Sequence, residues 1–325
     1  MTWDEFEAWA PRSVRGHAAQ QVASGRTEAE ALARARQQLE AQLPDGIASY
    51  LQLLHTVRAD APGRPTEGHL WLRVRPRASE VEAYVMDVEI SPEARGQGYG
   101  RATMLAAEDL ASDLGATVLR LNVFGHNTVA RALYASLGLR VQGATMTTTA
   151  IPHAGRMVDA PGAGLGLEPL TAPAFHAFQE RWLDARAAER AASEALSSRE
   201  ALRRAADDLR RALPRGPDTP GQLLRAAYDG TELVGTLWLE LAERSGGVHA
   251  VMKELWVAPG PRRLEHARAV LVAALSACRA LEVSSLEVTV PGADGANEPG
   301  VYEQLGFEIT AQTLAKPLPG SPARR

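Results

Sequence analysis

The two halves of this chain carry the same landmarks in the same order at a nearly constant separation. Ala31 and Leu32 recur as Ala201 and Leu202, and Leu43-Pro44-Asp45-Gly46 recurs as Leu213-Pro214-Arg215-Gly216, both 170 positions on. Leu70-Trp71-Leu72 returns as Leu237-Trp238-Leu239 and Pro92 as Pro259, both 167 positions on, and Tyr134 and Gly138 return as Tyr302 and Gly306. Self-similarity of this kind marks a duplicated structural unit, so whatever fold one half adopts the other must share. The 325 residues divide naturally into two domains of about 150 each. With 45% hydrophobic and 23% charged residues, each half has the apolar content to bury a core.

Each copy reads the same way along its length. Thr27 with Glu30 and Ser197 with Glu200 fit the capping box that opens a helix. Two helices precede an extended run (Tyr50 to Val57, or Leu223 to Tyr228), a second strand about the Leu-Trp-Leu triplet and a third at Val81 to Ile90 or Val248 to Val257. A turn, a helix, a strand, a helix and a terminal strand follow. The expected class is α/β (α+β), a mixed and mostly antiparallel sheet flanked by helices in each of two tandem domains. Residues 150 to 171, rich in Gly and Pro, read as a linker. The expected domains are 1–155 and 156–325, the latter including the linker, and the tail after Pro317 is expected to fray.

The chemistry concentrates in Asp87-Val88-Glu89-Ile90-Ser91-Pro92-Glu93-Ala94-Arg95-Gly96-Gln97-Gly98-Tyr99-Gly100-Arg101, a strand passing through a glycine-rich turn into a helix. A helix start offers free amides to an anion, and glycines let a phosphate approach the backbone. A P-loop needs Gly-Lys-Ser/Thr, which is absent; the dinucleotide fingerprint needs G-x-G-x-x-G, whereas this turn runs G-x-G-x-G. The turn resembles the R/Q-x-x-G-x-G/A pyrophosphate loop of the GNAT N-acetyltransferase superfamily, matched by Arg95, Gly98 and Gly100. Downstream, Leu119 to Asn127 leads to Ala130 and then Leu133-Tyr134-Ala135-Ser136-Leu137-Gly138, similar to the superfamily's second signature of a diverging strand and an Asn-started helix bearing a tyrosine.

That resemblance implies a cofactor-binding role for Gly96, Gln97, Gly98, Tyr99, Gly100 and Arg101, with Arg95, at the pyrophosphate of acetyl-CoA. It also implies pairing of Val88 and Ile90 with the pantetheine, contact of Asn127 with the cofactor arm, and protonation of the departing thiolate by Tyr134. A phenol with an ordinary pKa near 10 can donate to a thiolate whose own is about 8.5. Direct attack of a primary amine on acetyl-CoA then needs only a base, for which Asp87 and Glu89 are candidates and Tyr84 a lesser one. The competing structural readings are a core tyrosine at Tyr134, a simple helix cap at Asn127, solvated strand positions at Asp87 and Glu89, and an exposed loop histidine at His126. A non-catalytic acyl-CoA-binding or partner-binding protein on the same fold is the functional alternative.

The second copy departs from the pattern. Arg262 stands where Arg95 does, but Arg263, Leu264, Glu265, His266 and Ala267 replace the residues from Gly96 to Gly100, placing side chains and a carboxylate where a pyrophosphate would lie. It reads as a degenerate fold-mate, so the chain is expected to act as a pseudo-dimer with one active copy. All but two of the 35 basic residues are arginine, so the first half has no lysine for a Schiff base. The single cysteine, Cys278, excludes a disulfide framework, and no histidine spacing suggests a metal site. A net charge of −4 spread over both halves points away from nucleic acid, and no apolar run reaches a membrane span, so a cytoplasmic enzyme acting on a small-molecule or peptide amine is expected.

Overall fold

The computed structural model describes residues 1–23, 27–59, 66–77, 79–149, 151, 165–194, 196–244, 246–292 and 299–319. Most of the expected linker (150 and 152–164) and the tail from 320 lie outside the described residues. Internal contacts separate two compact units, Met1–Gln142 with Gln312–Arg325 and Gly143–Ala311. A single cut at 155/156 does not divide the chain this way: 143–155 fall to the second unit and 312–325 to the first.

In unit 1, α1 (Trp3–Ala23) and α2 (Glu28–Gln42) precede β1 (Gln52–Arg58), β2 (Thr66–Pro76) and β3 (Val81–Ile90). Then come α3 (Tyr99–Asp113), β4 (Val118–Phe124), α4 (Thr128–Ser136) and β5 (Arg140–Thr148), whose last residues belong to unit 2. The capping box at Thr27 and Glu30 forms in both directions, which satisfies two of the amides a helix start leaves orphaned. β1, β2 and β3 pair antiparallel and β3 pairs parallel with β4. Successive strand residues point to opposite faces, so Trp71 and Leu72 separate two cores. Trp71 packs with Trp9 and Leu54 beneath α1, and its indole N–H donates to Gln52 Oε1 at 2.7 Å. Leu72 packs with Met104 of α3, Leu121 and Tyr134 of α4.

The neighbour of β4 on its other side is β11 (Glu308–Pro317), the last strand of the chain. Leu314 and Leu318 enter the core beside Leu121, and the Leu318 amide donates to Thr117 O at 3.0 Å. Unit 1 is therefore completed by residues that the repeat assigns to the second copy.

Unit 2 repeats the plan with β6 (Leu167–Pro169), α5 (Ala172–Glu194), α6 (Ser198–Ala212), β7 (Gln222–Asp229), β8 (Glu232–Arg244) and β9 (Gly247–Val257). After these come α7 (Arg263–Ala280), β10 (Val283–Pro291) and α8 (Pro299–Gln304). Its strand order is β5-β10-β9-β8-β7-β6, with β9 and β10 parallel and the other pairs antiparallel. β6 falls inside the segment read as linker; at three residues it is too short to show a period. The repeat extends to backbone angles: Leu43 ends α2 at φ −125°, ψ 61°, and Leu213 ends α6 at −126°, 62°. Trp238 donates to Gln222 Oε1 at 2.6 Å as Trp71 does to Gln52. Only half of the second capping box forms, because the Glu200 carboxylate turns to Arg203 and Arg204. Cys278 is fully buried in the core of α7, and burial pushes its thiol up to about 11.

Candidate functional site

The site begins with a fault in a ladder. Trp71 pairs with Asp87 and Leu72 with Val85, so Met86 is an extra residue in β3. A bulge of this kind reverses the alternation of side chains beyond it. Val81, Ala83 and Val85 face the α3 side, and past Met86 it is Val88 that packs there, while Asp87 and Glu89 turn to the α1 side. The two carboxylates thus share a face, as their spacing implies, but it is the face the bulge selects.

The bulge also ends a pairing. β3 and β4 run in register from Glu82 with Val118 to Val85 with Leu121, and there the parallel ladder stops although both strands continue. From Asp87 to Ile90, β3 keeps only its β2 partner on one edge. Two strands that separate while each stays paired on its far side leave backbone donors and acceptors facing a gap, and such groups need a partner.

At the mouth of this gap lies the glycine turn. Gly96 has φ +76° and Gly98 φ +89°, conformations that cost a residue with a Cβ about 1–2 kcal/mol. A Cβ built on either would meet nothing within 4 Å, so the space above the turn is open. Gly98 is the N-cap of α3 and supplies no side-chain acceptor, leaving the first amides of the helix, from Tyr99 through Arg101, aimed outward. Arg95 Nε donates to Ile90 O at 3.0 Å and Gln97 Nε2 to Glu93 O at 2.8 Å; both side chains brace the turn. Arg101 reaches Ser136 Oγ on α4. At Gly100 a Cβ would lie 3.4 Å from Leu133 and 3.9 Å from Ile90, ordinary contact that an alanine could make.

Tyr134 closes the α3 side. It is 7% exposed among Leu70, Val85 and Leu121, and burial first, then the negative charge of Asp87, raises its phenol above the ordinary value. Asn127 caps α4 through Oδ1, which accepts from the Ala130 amide at 3.1 Å. Asn122 accepts from Thr313 Oγ1 at 2.8 Å, and His126 stacks on Phe124 with ring centroids 5.6 Å apart. Tyr84, before the bulge, has Arg73 over its ring at 5.3 Å and is not on the edge that the gap frees.

On the α1 side a cavity of about 580 Å³ is lined by Glu5, Trp9, Arg12, His69, Glu89 and Ser91, among others. Sequence context does not single out His69, since a lone histidine in a strand carries no spacing signal. The β2–β3 register sets it opposite Glu89. Its Nε2 lies 2.8 Å from Asp87 Oδ2, its Nδ1 3.9 Å from Glu89 Oε2, and its ring stands edge-on to Trp9. Among the described residues no group of three His, Cys, Asp or Glu could hold a metal ion.

Unit 2 repeats the backbone and changes the side chains. Trp238 pairs with Glu254 and Leu239 with Met252, so Lys253 is the bulge residue, and the parallel pairing of β9 with β10 ends at Met252 with Val288. By register Thr236 occupies the place of His69 and Trp256 that of Glu89. Arg181 of α5 lies over the Trp256 ring at 3.9 Å and donates to Thr236 Oγ1 at 2.8 Å, covering both. In the turn, Arg262 donates to Glu265 at 2.9 Å and to Asp229 at 2.7 Å, so ion pairs occupy the place of the open turn in unit 1.

Residues 59–139 match the model of the acetyltransferase (GNAT) family. An uncharacterised N-acetyltransferase of Bacillus subtilis, YdgE, is 34% identical over 139 residues, which cover 42% of this chain and 87% of the relative. The chain belongs to the GNAT family. A second B. subtilis relative, the uncharacterised N-acetyltransferase YycN, is 26% identical over 148 residues, covering 45% of this chain and 94% of that one. The crystal structure of a GCN5-related N-acetyltransferase from Sphaerobacter thermophilus superposes with a TM-score of 0.53 at 17% identity, covering 97% of this chain and 94% of the other, a likeness of fold along the whole length. The chain is thus an acyltransferase with the GNAT fold, and the match to the family model lies over the copy with the open turn.

Proposed function

We propose that the chain transfers the acetyl group of acetyl-CoA to a primary amine, with both substrates bound together, at unit 1 alone. The observation that carries this reading is the opening of β3 from β4 directly below an uncapped helix start whose two left-handed glycines have free space above them. Amides at a helix N-terminus with room for phosphate oxygens suit a diphosphate. Gly96 to Arg101 would hold it, and the free edge of β3 about Val88 and Ile90 would pair with the pantetheine amides. Acetyl-CoA supplies an activated carbonyl and a thiolate leaving group.

The chain's own residues do the rest. The raised pKa of Tyr134 keeps its phenol protonated at neutral pH, as a proton donor to sulfur must be. Asp87 and Glu89 lie on the opposite face, where Glu89 lines the α1-side cavity from which the amine would arrive, and the proton of the amine leaves on that side, to these carboxylates or to a group they hold. In unit 2 the ion-paired turn and the Arg181 cover disfavour both substrates, so one acetyl-CoA per chain is expected.

The test is calorimetric titration with acetyl-CoA, followed by thiol release across a panel of primary amines. Saturable binding at one site and release that depends on the amine are expected. Release at the same rate without any amine would make the chain a thioesterase or a non-catalytic binder and overturn the reading.

A further inference from the structure

We infer that His69 is the group that takes the proton from the acceptor amine, with Asp87 orienting its ring and Glu89 holding the incoming ammonium. The inference deepens the acetyl-transfer reading and rests on it. A carboxylate only accepts hydrogen bonds, so the 2.8 Å contact from Nε2 to Asp87 Oδ2 places the ring hydrogen on Nε2 and leaves Nδ1 as a lone-pair acceptor. That nitrogen lies 3.9 Å from Glu89 Oε2, too far for a hydrogen bond between the two. Two acceptors at this separation can each stand about 2.8–2.9 Å from one shared ammonium nitrogen, which makes the pair a clamp for a protonated amine.

Surroundings separate the roles. The Glu89 side chain is 62% exposed, a solvated carboxylate suited to holding a cation. The His69 side chain is 12% exposed in the wall of the α1-side cavity, its ring fixed by Trp9 and Asp87. Asp87 is bonded to His69, and its charge adds to burial in raising the Tyr134 phenol. Unit 2 provides an internal comparison: where the turn has lost its open space, Thr236, Trp256 and Glu254 have replaced His69, Glu89 and Asp87 together. His69 and Glu89 are thus absent from the copy that lacks the open turn.

The proton count closes. The ammonium gives one proton to His69 Nδ1; the freed lone pair forms the C–N bond as the C–S bond breaks; Tyr134 gives a proton to sulfur. The nitrogen sheds a second proton on becoming an amide, which replaces the one Tyr134 gave, and the proton on His69 passes to solvent.

The test uses the full chain and an amine that supports thiol release. His69→Ala and His69→Gln should lower kcat about 100-fold or more while acetyl-CoA affinity stays within about twofold, and added imidazole should restore turnover to His69→Ala about tenfold. Glu89→Gln should raise KM for the amine about tenfold, and an unchanged KM would remove Glu89 from the clamp. A kcat for both His69 variants within about threefold of the parent, in chains that still bind acetyl-CoA, would overturn the inference and leave the acetyl-transfer reading standing. Thiol release by the parent chain that no amine accelerates would overturn that reading, and this one with it.

Discussion

Glu254 and Asp87 hold equivalent places in the two ladders and meet opposite surroundings. Asp87 has His69 as a partner, whereas burial pushes the Glu254 carboxyl up to about 7, with the Arg181 guanidinium only partly opposing it. In the folded chain Glu254 keeps its proton to higher pH than in the unfolded chain, where it titrates near 4.5. Its favourable contribution is therefore complete below about pH 4.5 and is lost as pH rises through 7. Glu254→Gln, which keeps the shape without the charge, should match the parent in thermal unfolding near pH 4.5 and exceed it by about 3 kcal/mol at pH 8. A difference in Tm that does not change with pH would remove the buried-carboxyl account. Tyr134 answers to kinetics instead. Tyr134→Phe should cut turnover about 100-fold with acetyl-CoA binding unchanged, and unaltered thiol release would return the residue to the core it shares with Leu70 and Val85.

The turn between β3 and α3 and its counterpart before α7 have the same place in the fold and opposite fillings. Gly98→Glu puts a side chain with a negative charge into open space at φ +89°, and acetyl-CoA binding should fall below detection in calorimetry. Glu265→Gly removes a carboxylate already paired with Arg262 and should leave the stoichiometry at one acetyl-CoA per chain; a second site on titration would mean that the turn alone had silenced unit 2. The backbone of the turn was legible in the sequence because its signal is local: Arg95, Gly98 and Gly100 sit within six residues, and glycine announces a special backbone by itself. The longer strands and the capped helix starts were legible for the same reason, down to the Thr27 capping box, whereas the three-residue β6 was not. His69 was not, because its meaning depends on a cross-strand register and on a one-residue bulge at Met86. A bulge leaves no mark in composition, yet here it decides which face Asp87 and Glu89 occupy. The second capping box was half legible: Ser197 does accept the Glu200 amide, but two arginines in the following turn compete for the carboxylate.

At the scale of the molecule, duplication was legible and the division of the chain was not, since the repeat carries no trace of which copy receives each final strand. β5 of the first copy pairs with β10, and the end of β11 completes unit 1 through Leu314 and Leu318. Residues 1–155 alone would leave an edge of β4 open and lose two buried leucines, about 3–6 kcal/mol of burial against a usual total of about 5–15. Such a fragment is expected to aggregate or to bind acetyl-CoA far more weakly than the full chain. Equal affinity from a soluble monomer would mean that β5 can take the place of β11. The arrangement also sets an order in time. Domains commonly fold as they leave the ribosome, the first-made first. Here unit 2 has all its residues once Ala311 is made, while unit 1 still waits for the strand that closes it. The copy synthesised first is the one finished last, and a message cut short near its end would cost the chain its open turn's scaffold before it cost the other half anything.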